Sequence, residues 1–185
     1  VLFTLICTCF LCKNMKKRDF RFVPWLPYVL TGCGSAMLFL LGRLSPWTFC
    51  GIAFLFVLLY ASVQDHSTHE TDDILSVMML MLAVTNISEA TVLSQLLGAA
   101  IVCGAQMLIA LCGKKRMGIG GADIKLSTAA ALLLGFYKGV IGFMLGLLIA
   151  VVAQLIMTHR KKEQRTQPFA LLPYLSVGLW IGYLI

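Results

Sequence analysis

Charge is scarce in this sequence. Only 12% of its 185 residues are Asp, Glu, Lys or Arg and 59% are apolar, against roughly 25% and 45–50% in a soluble domain. That deficit excludes an ordinary water-soluble globule. Acid is scarcer still, with eight Asp and Glu in the whole chain, so each can be accounted for separately. A second CxxC is missing: Cys9 and Cys12 form the single such pair, and a tetrahedral zinc site takes four ligands. The first apolar run has no cationic segment before it and no small-residue cleavage site after it, so it does not read as a secretory signal. Starting at Val1, it reads as a first span cut at its beginning.

What is present in excess is apolar sequence arranged in runs, over residues 1–12, 22–42, 44–64, 74–88, 92–112, 122–136, 139–158 and 168–185. A spanning helix needs about 20 mostly apolar residues. The chain is therefore expected to be an all-α, polytopic transmembrane helical bundle of about eight spans, one domain over residues 1–185. The net charge of +7 lies at the ends of these runs, which is the pattern of membrane topology and not of a nucleic-acid surface. With eight spans, 13 of the 15 Lys and Arg fall on one side, leaving Arg43 and Lys138 opposite. The positive-inside rule makes the cationic side cytoplasmic and places both termini outside. Five of the seven cysteines lie inside apolar runs, and Cys12 and Cys112 each close one; there cysteine behaves as a small hydrophobe.

Asp19 and Glu163 sit among cations and Glu89 in a short outer loop, so solvation explains all three. Asp65 is different. It closes the third run, and Asp123 opens the sixth, so two carboxylates from distant spans are expected at one cytoplasmic-side depth. Ionisable residues within a membrane mark function by default. The glycines Gly118, Gly120 and Gly121 precede Asp123; they permit positive φ and close approach of another chain, so Gly120 and Gly121 are candidates for contacting an extended peptide. A flexible turn ending in an N-cap Asp is the plainer alternative. The stretch from Asp65 through Glu70, Asp72 and Asp73 holds four acids and no Lys or Arg on an otherwise cationic face, which suits a cationic ligand or simple solvation. His66 and His69 make an HxxH that could take part in a metal site or be solvated. Lys125 stands either near the acids or among lipid headgroups.

At these residues the chain resembles the type IV prepilin peptidase family, membrane aspartic endopeptidases that remove the leader of prepilins and pseudopilins. One family aspartate ends a span and the other lies in a GxGD-type motif continuing D-[VI]-K-L; Asp65 resembles the first and Asp123-Ile124-Lys125-Leu126 the second. Pro168-Phe169-Ala170 resembles a Pro-Phe near the family's last span. Three positions depart from the pattern: Ala122 replaces the second Gly of GxGD, Asp72 stands where Pro is common, and the paired CxxC motifs of the methylating members are missing. Presenilin-like proteases match less well, having Tyr where Gln64 stands. The resemblance implies catalytic Asp65 and Asp123, with Gly120, Gly121, Lys125, Glu70, Asp72 and Asp73 toward substrate. It also implies a prokaryotic cytoplasmic membrane with lipid around the chain, a prepilin or pseudopilin partner, no nucleic acid, no metal and no cofactor.

Two carboxylates sharing a site cannot both be charged cheaply, so one holds a proton and the other acts as base on water. Two other classes use the same sequence features: a cation or proton transporter, or a non-catalytic component of a pilus or secretion assembly. A transporter is expected to hold its acids near the bilayer midplane, whereas here both lie at an edge.

Overall fold

The computed structural model describes residues 4, 8, 9, 12, 13, 15, 16, 25–42, 45–69, 71–87, 91–112, 120–160 and 170–185. Among them the secondary structure is entirely helical, with seven helices: α1 (Leu26–Gly42), α2 (Pro46–Thr68), α3 (Asp73–Thr85), α4 (Val92–Cys112), α5 (Gly121–Leu134), α6 (Phe136–Arg160) and α7 (Leu172–Leu184). The described residues of the first segment, Thr4, Thr8, Cys9, Cys12, Lys13, Met15 and Lys16, are helical too.

Local sequence explains the boundaries. Ser45 caps α2, its hydroxyl accepting the Thr48 amide at 3.3 Å, and Pro46 follows at the first helical position, where a missing N–H is harmless. At the far end His69 takes a left-handed conformation with φ 55°, and its N–H bonds the Asp65 carbonyl. Gly135, with φ 80°, separates α5 from α6 by one residue; a side chain there would be strained.

Helix lengths match the expectation of about eight spans only in part. Pro46–Thr68, Val92–Leu111 and Phe136–His159 are long and apolar enough to cross a membrane, while α1, α3 and α7 are shorter apolar helices. The 13 residues of α3 or α7 rise about 20 Å, less than the roughly 30 Å of hydrocarbon. Polar Asp72 and Asn86 bound α3, and Gly135 ends α5 where the sixth apolar run closes.

Polarity is distributed inside out. Leu40 is 85% exposed and Leu111 79%, while Gln106, Ser127, Thr31 and Ser35 are completely buried. In water that arrangement would be unstable; in hydrocarbon it is favoured, because apolar side chains lose nothing by facing lipid and polar ones need partners inside the protein. The first segment shows this plainly: Thr4 pairs with Ser35 at 3.1 Å and Thr8 with Thr31 at 2.8 Å. Trp47, Phe54, Trp180 and Tyr183 stack where α2 meets α7, and the Tyr183 hydroxyl donates to the Trp47 carbonyl at 2.6 Å.

The most extensive contact joins α6 to α7, and glycines make it possible. A β-carbon on Gly178 would fall on the backbone of Gly142 and Gly146, and one on Gly182 would lie 2.6 Å from the Lys138 carbonyl oxygen. Small residues of this kind let membrane helices approach to backbone contact. Gly178→Ala is expected to destabilise the protein by about 1–3 kcal/mol or more, as overpacking does. Gly104→Ala, whose β-carbon meets nothing within 4 Å, should be neutral or mildly stabilising; thermal unfolding of both variants in one detergent checks the difference.

Candidate active site

Three helix ends converge on the site. Asp65 lies in the last turn of α2, Asp123 in the first turn of α5, and the start of α7 closes the third side. Asp65 is 5% exposed and Asp123 8%, and the Asp65 charge acts on the Asp123 carboxyl. Two acids far apart in sequence are thus brought together in one buried place.

Their hydrogen-bond surroundings differ. Oδ2 of Asp65 accepts the Leu172 amide at 2.9 Å, and the Leu171 amide also bonds this carboxyl. These are donors at a helix N-terminus, which intrahelical bonding leaves unsatisfied and where negative charge is favoured. Asp123 folds back over the N-cap residue Gly120, whose amide bonds the carboxyl. One turn along α5, the Ser127 hydroxyl contacts the Asp123 carbonyl at 2.6 Å and Gln106 Oε1 on α4 at 2.8 Å. Ser62 on α2 donates to Ser176 on α7 at 2.7 Å, which ties the two helices together beside Asp65.

The remaining candidates divide. Gly120 has φ −62° and Gly121 is helical, so neither uses the positive φ that glycine permits; a β-carbon on Gly120 would meet Asp123 Oδ2 at 3.4 Å and one on Gly121 would meet nothing. Lys125 pairs with Asp73 at 2.8 Å, both largely exposed, so these two meet each other and Lys125 does not bridge the catalytic candidates. Asp72 is the N-cap residue of α3. Glu70, Gly118, Pro168 and Phe169 lie outside the described residues. His66 and His69 are exposed and close enough for their charges to act on Asp65; among the described residues no three His, Cys, Asp or Glu side chains come together as a metal site. Cys9, Cys12, Cys33, Cys50 and Cys103 are free thiols.

Sequence reasoning missed the α7 amides, Ser127, Gln106 and the Ser62–Ser176 pair. Backbone donors carry no residue signal at all. Gln106 had a faint one, as a polar residue well inside an apolar run.

The chain belongs to the type IV leader peptidase family, whose model matches residues 52–158, more than half of its length. It is accordingly a membrane-compatible helical peptidase. The matched stretch contains both Asp65 and Asp123 and ends before α7, so the Leu172 amide is contributed from beyond it. No curated protein and no solved structure gives a significant match.

The Leu172 contact has a measurable consequence. Asp65→Ala leaves a buried amide without an acceptor, a loss of about 1–3 kcal/mol, whereas Asp65→Asn keeps a carbonyl oxygen in place. Unfolding in detergent should therefore separate the two variants, with Asn much nearer the wild type.

Proposed function

We propose that the protein is a membrane aspartic endopeptidase that removes the basic leader of type IV prepilins or pseudopilins, with Asp65 and Asp123 as its catalytic pair. The observation that carries this reading is the meeting of two buried carboxyls, the charge of Asp65 acting on Asp123, at the adjoining ends of α2 and α5, in a chain of the leader peptidase family. The difference in their surroundings supports a division of roles. Asp65, bonded by two amides of a helix N-terminus, is held as the carboxylate; Asp123 keeps the proton.

In this scheme Asp65 takes a proton from a water as the water oxygen attacks the scissile carbonyl carbon. Asp123 gives its proton to the carbonyl oxygen, forming a neutral tetrahedral diol. Collapse then breaks the C–N bond: the proton on Asp65 passes to the leaving nitrogen, and a diol hydroxyl returns a proton to Asp123. Two carboxyls and one water complete the cycle.

The acidic stretch of Glu70, Asp72 and Asp73 is proposed to draw the cationic leader toward the pair, with Gly120 and Gly121 leaving its approach uncluttered. Lys125 offsets Asp73, so the attraction is weak and screened over about 8 Å at physiological salt. Cleavage of prepilins by the protein in vesicles, followed by mobility shift, tests both ideas. Asp65→Asn and Asp123→Asn should each lower kcat by about 10²–10⁴-fold, and full activity in either would sink the dyad. Neutralising Glu70, Asp72 and Asp73 together should raise KM severalfold for a basic leader and spare kcat, as loss of uniform binding does.

The proposed setting is the cytoplasmic membrane of a prokaryote. One domain crosses it about eight times, with both termini outside and the site facing the cytoplasm, a reading that the one-sided Lys and Arg distribution supports. Single cysteines at positions 70 and 115, on a cysteine-free background, should react with an impermeant label from the cytoplasmic side, and one at 89 from outside. Labelling of 115 from outside would overturn the orientation.

A further inference from the structure

Beside the catalytic pair, α3, α4 and α5 enclose a groove of about 480 Å³, within the usual range of roughly 300–1,000 Å³ for small-molecule sites. Its wall is graded. Asp73 and Lys125 form their ion pair at the end where α3 and α5 begin. Three residues farther along each helix, about 4.5 Å deeper, come Ser76 and Thr128. Another turn in, Leu80, Leu132 and Cys103 make an apolar floor, and Val77 and Leu80, each nearly half exposed, leave the groove open on the lipid side.

The two hydroxyls are the telling feature. Ser62, Ser67, Thr68, Ser127 and Thr158 each bond the carbonyl four residues back along their own helix. Ser76 and Thr128 do not: their oxygens are buried without any hydrogen-bond partner, and Ser76 is only 8% exposed. A buried hydroxyl left unpaired is costly; both residues line the groove, and a rotation about χ1 would present each hydroxyl to an acceptor there. The acceptor must sit between an apolar portion below and a region of paired opposite charge above.

We propose that this groove binds one zwitterionic phospholipid of the phosphatidylethanolamine type. An acyl chain lies on Leu80, Leu132 and Cys103, and its ester carbonyl oxygens accept from Ser76 and Thr128. The phosphate takes the Lys125 ammonium and the lipid's own ammonium takes the Asp73 carboxylate, which replaces the direct ion pair by two complementary ones. A purely anionic headgroup would repel Asp73, and a choline headgroup has no N–H to offer it. A peptide backbone could satisfy the hydroxyls, but it lacks the adjoining opposite charges that match this end of the groove.

Native mass spectrometry of the intact protein in detergent, titrated with phosphatidylethanolamine, phosphatidylglycerol and phosphatidylcholine, tests the assignment. One phosphatidylethanolamine should bind with about tenfold preference over the other two. Ser76→Ala with Thr128→Val, a near-isosteric pair, should weaken it about fivefold or more. Asp73→Asn should erase the preference over phosphatidylcholine, and Cys103→Phe, which fills the floor, should abolish binding. A diazirine-bearing acyl chain should cross-link to α3, α4 or α5 at this groove. Equal binding of the three lipids, cross-links confined to other helices, or unchanged affinity in the Ser76→Ala, Thr128→Val variant would overturn the proposal. So would capture of peptide substrate in place of lipid by a photoreactive residue at position 77. These readouts are independent of proteolysis, so they stand or fall apart from the proposed catalytic mechanism.

Discussion

The bond from the Leu172 amide to Asp65 is the contact on which the rest of the site depends. It joins the end of α2 to the beginning of α7, two elements that chain connectivity leaves far apart. A carboxylate buried away from water is tolerable only when donors replace its hydration, and a helix N-terminus supplies several at once. The same amides are orphan donors in need of an acceptor. Each partner thus removes the other's penalty, and the position of α7 becomes a condition for having an ionisable Asp65 in the site.

That condition is met by packing elsewhere. The start of α7 is held by its glycine-lined contact with α6, where Gly142, Gly146, Gly178 and Gly182 bring the two backbones together. It is held as well by the Ser62–Ser176 bond against α2, while the aromatic stack around Tyr183 fixes the far end of α7. On the other side of the site, α5 is anchored to α4 through Ser127 and Gln106. Close approach in hydrocarbon comes from small residues and internal hydrogen bonds, since apolar surface gains nothing by leaving lipid. The catalytic candidates therefore rest on two different devices, backbone contact behind Asp65 and a buried polar pair behind Asp123.

The inside-out polarity also explains why unpaired groups stand out. In a bundle where most inward hydroxyls return to their own helix backbone, the unpartnered oxygens of Ser76 and Thr128 mark an unfinished surface. Their place, one turn from the Asp73–Lys125 pair, sets the proposed lipid groove beside the site while leaving Asp65 and Asp123 out of its lining.

The sequence by itself determined the helical, membrane-compatible class and the two acids worth watching, because both follow from composition along the chain. Apolar runs report the solvent, and an acid at the edge of a run reports its depth. The last turn of α2 and the first turn of α5 indeed hold Asp65 and Asp123. Helix lengths were legible only in part: the sixth apolar run closes beside Gly135, where α5 ends, whereas the short extents of α3 and α7 were set by the backbone. What the tertiary structure alone decided was partnership. Lys125 turned to Asp73 and the α7 amides to Asp65, since a hydrogen bond depends on where two elements meet in space, and a backbone amide has the same identity at every position in the sequence.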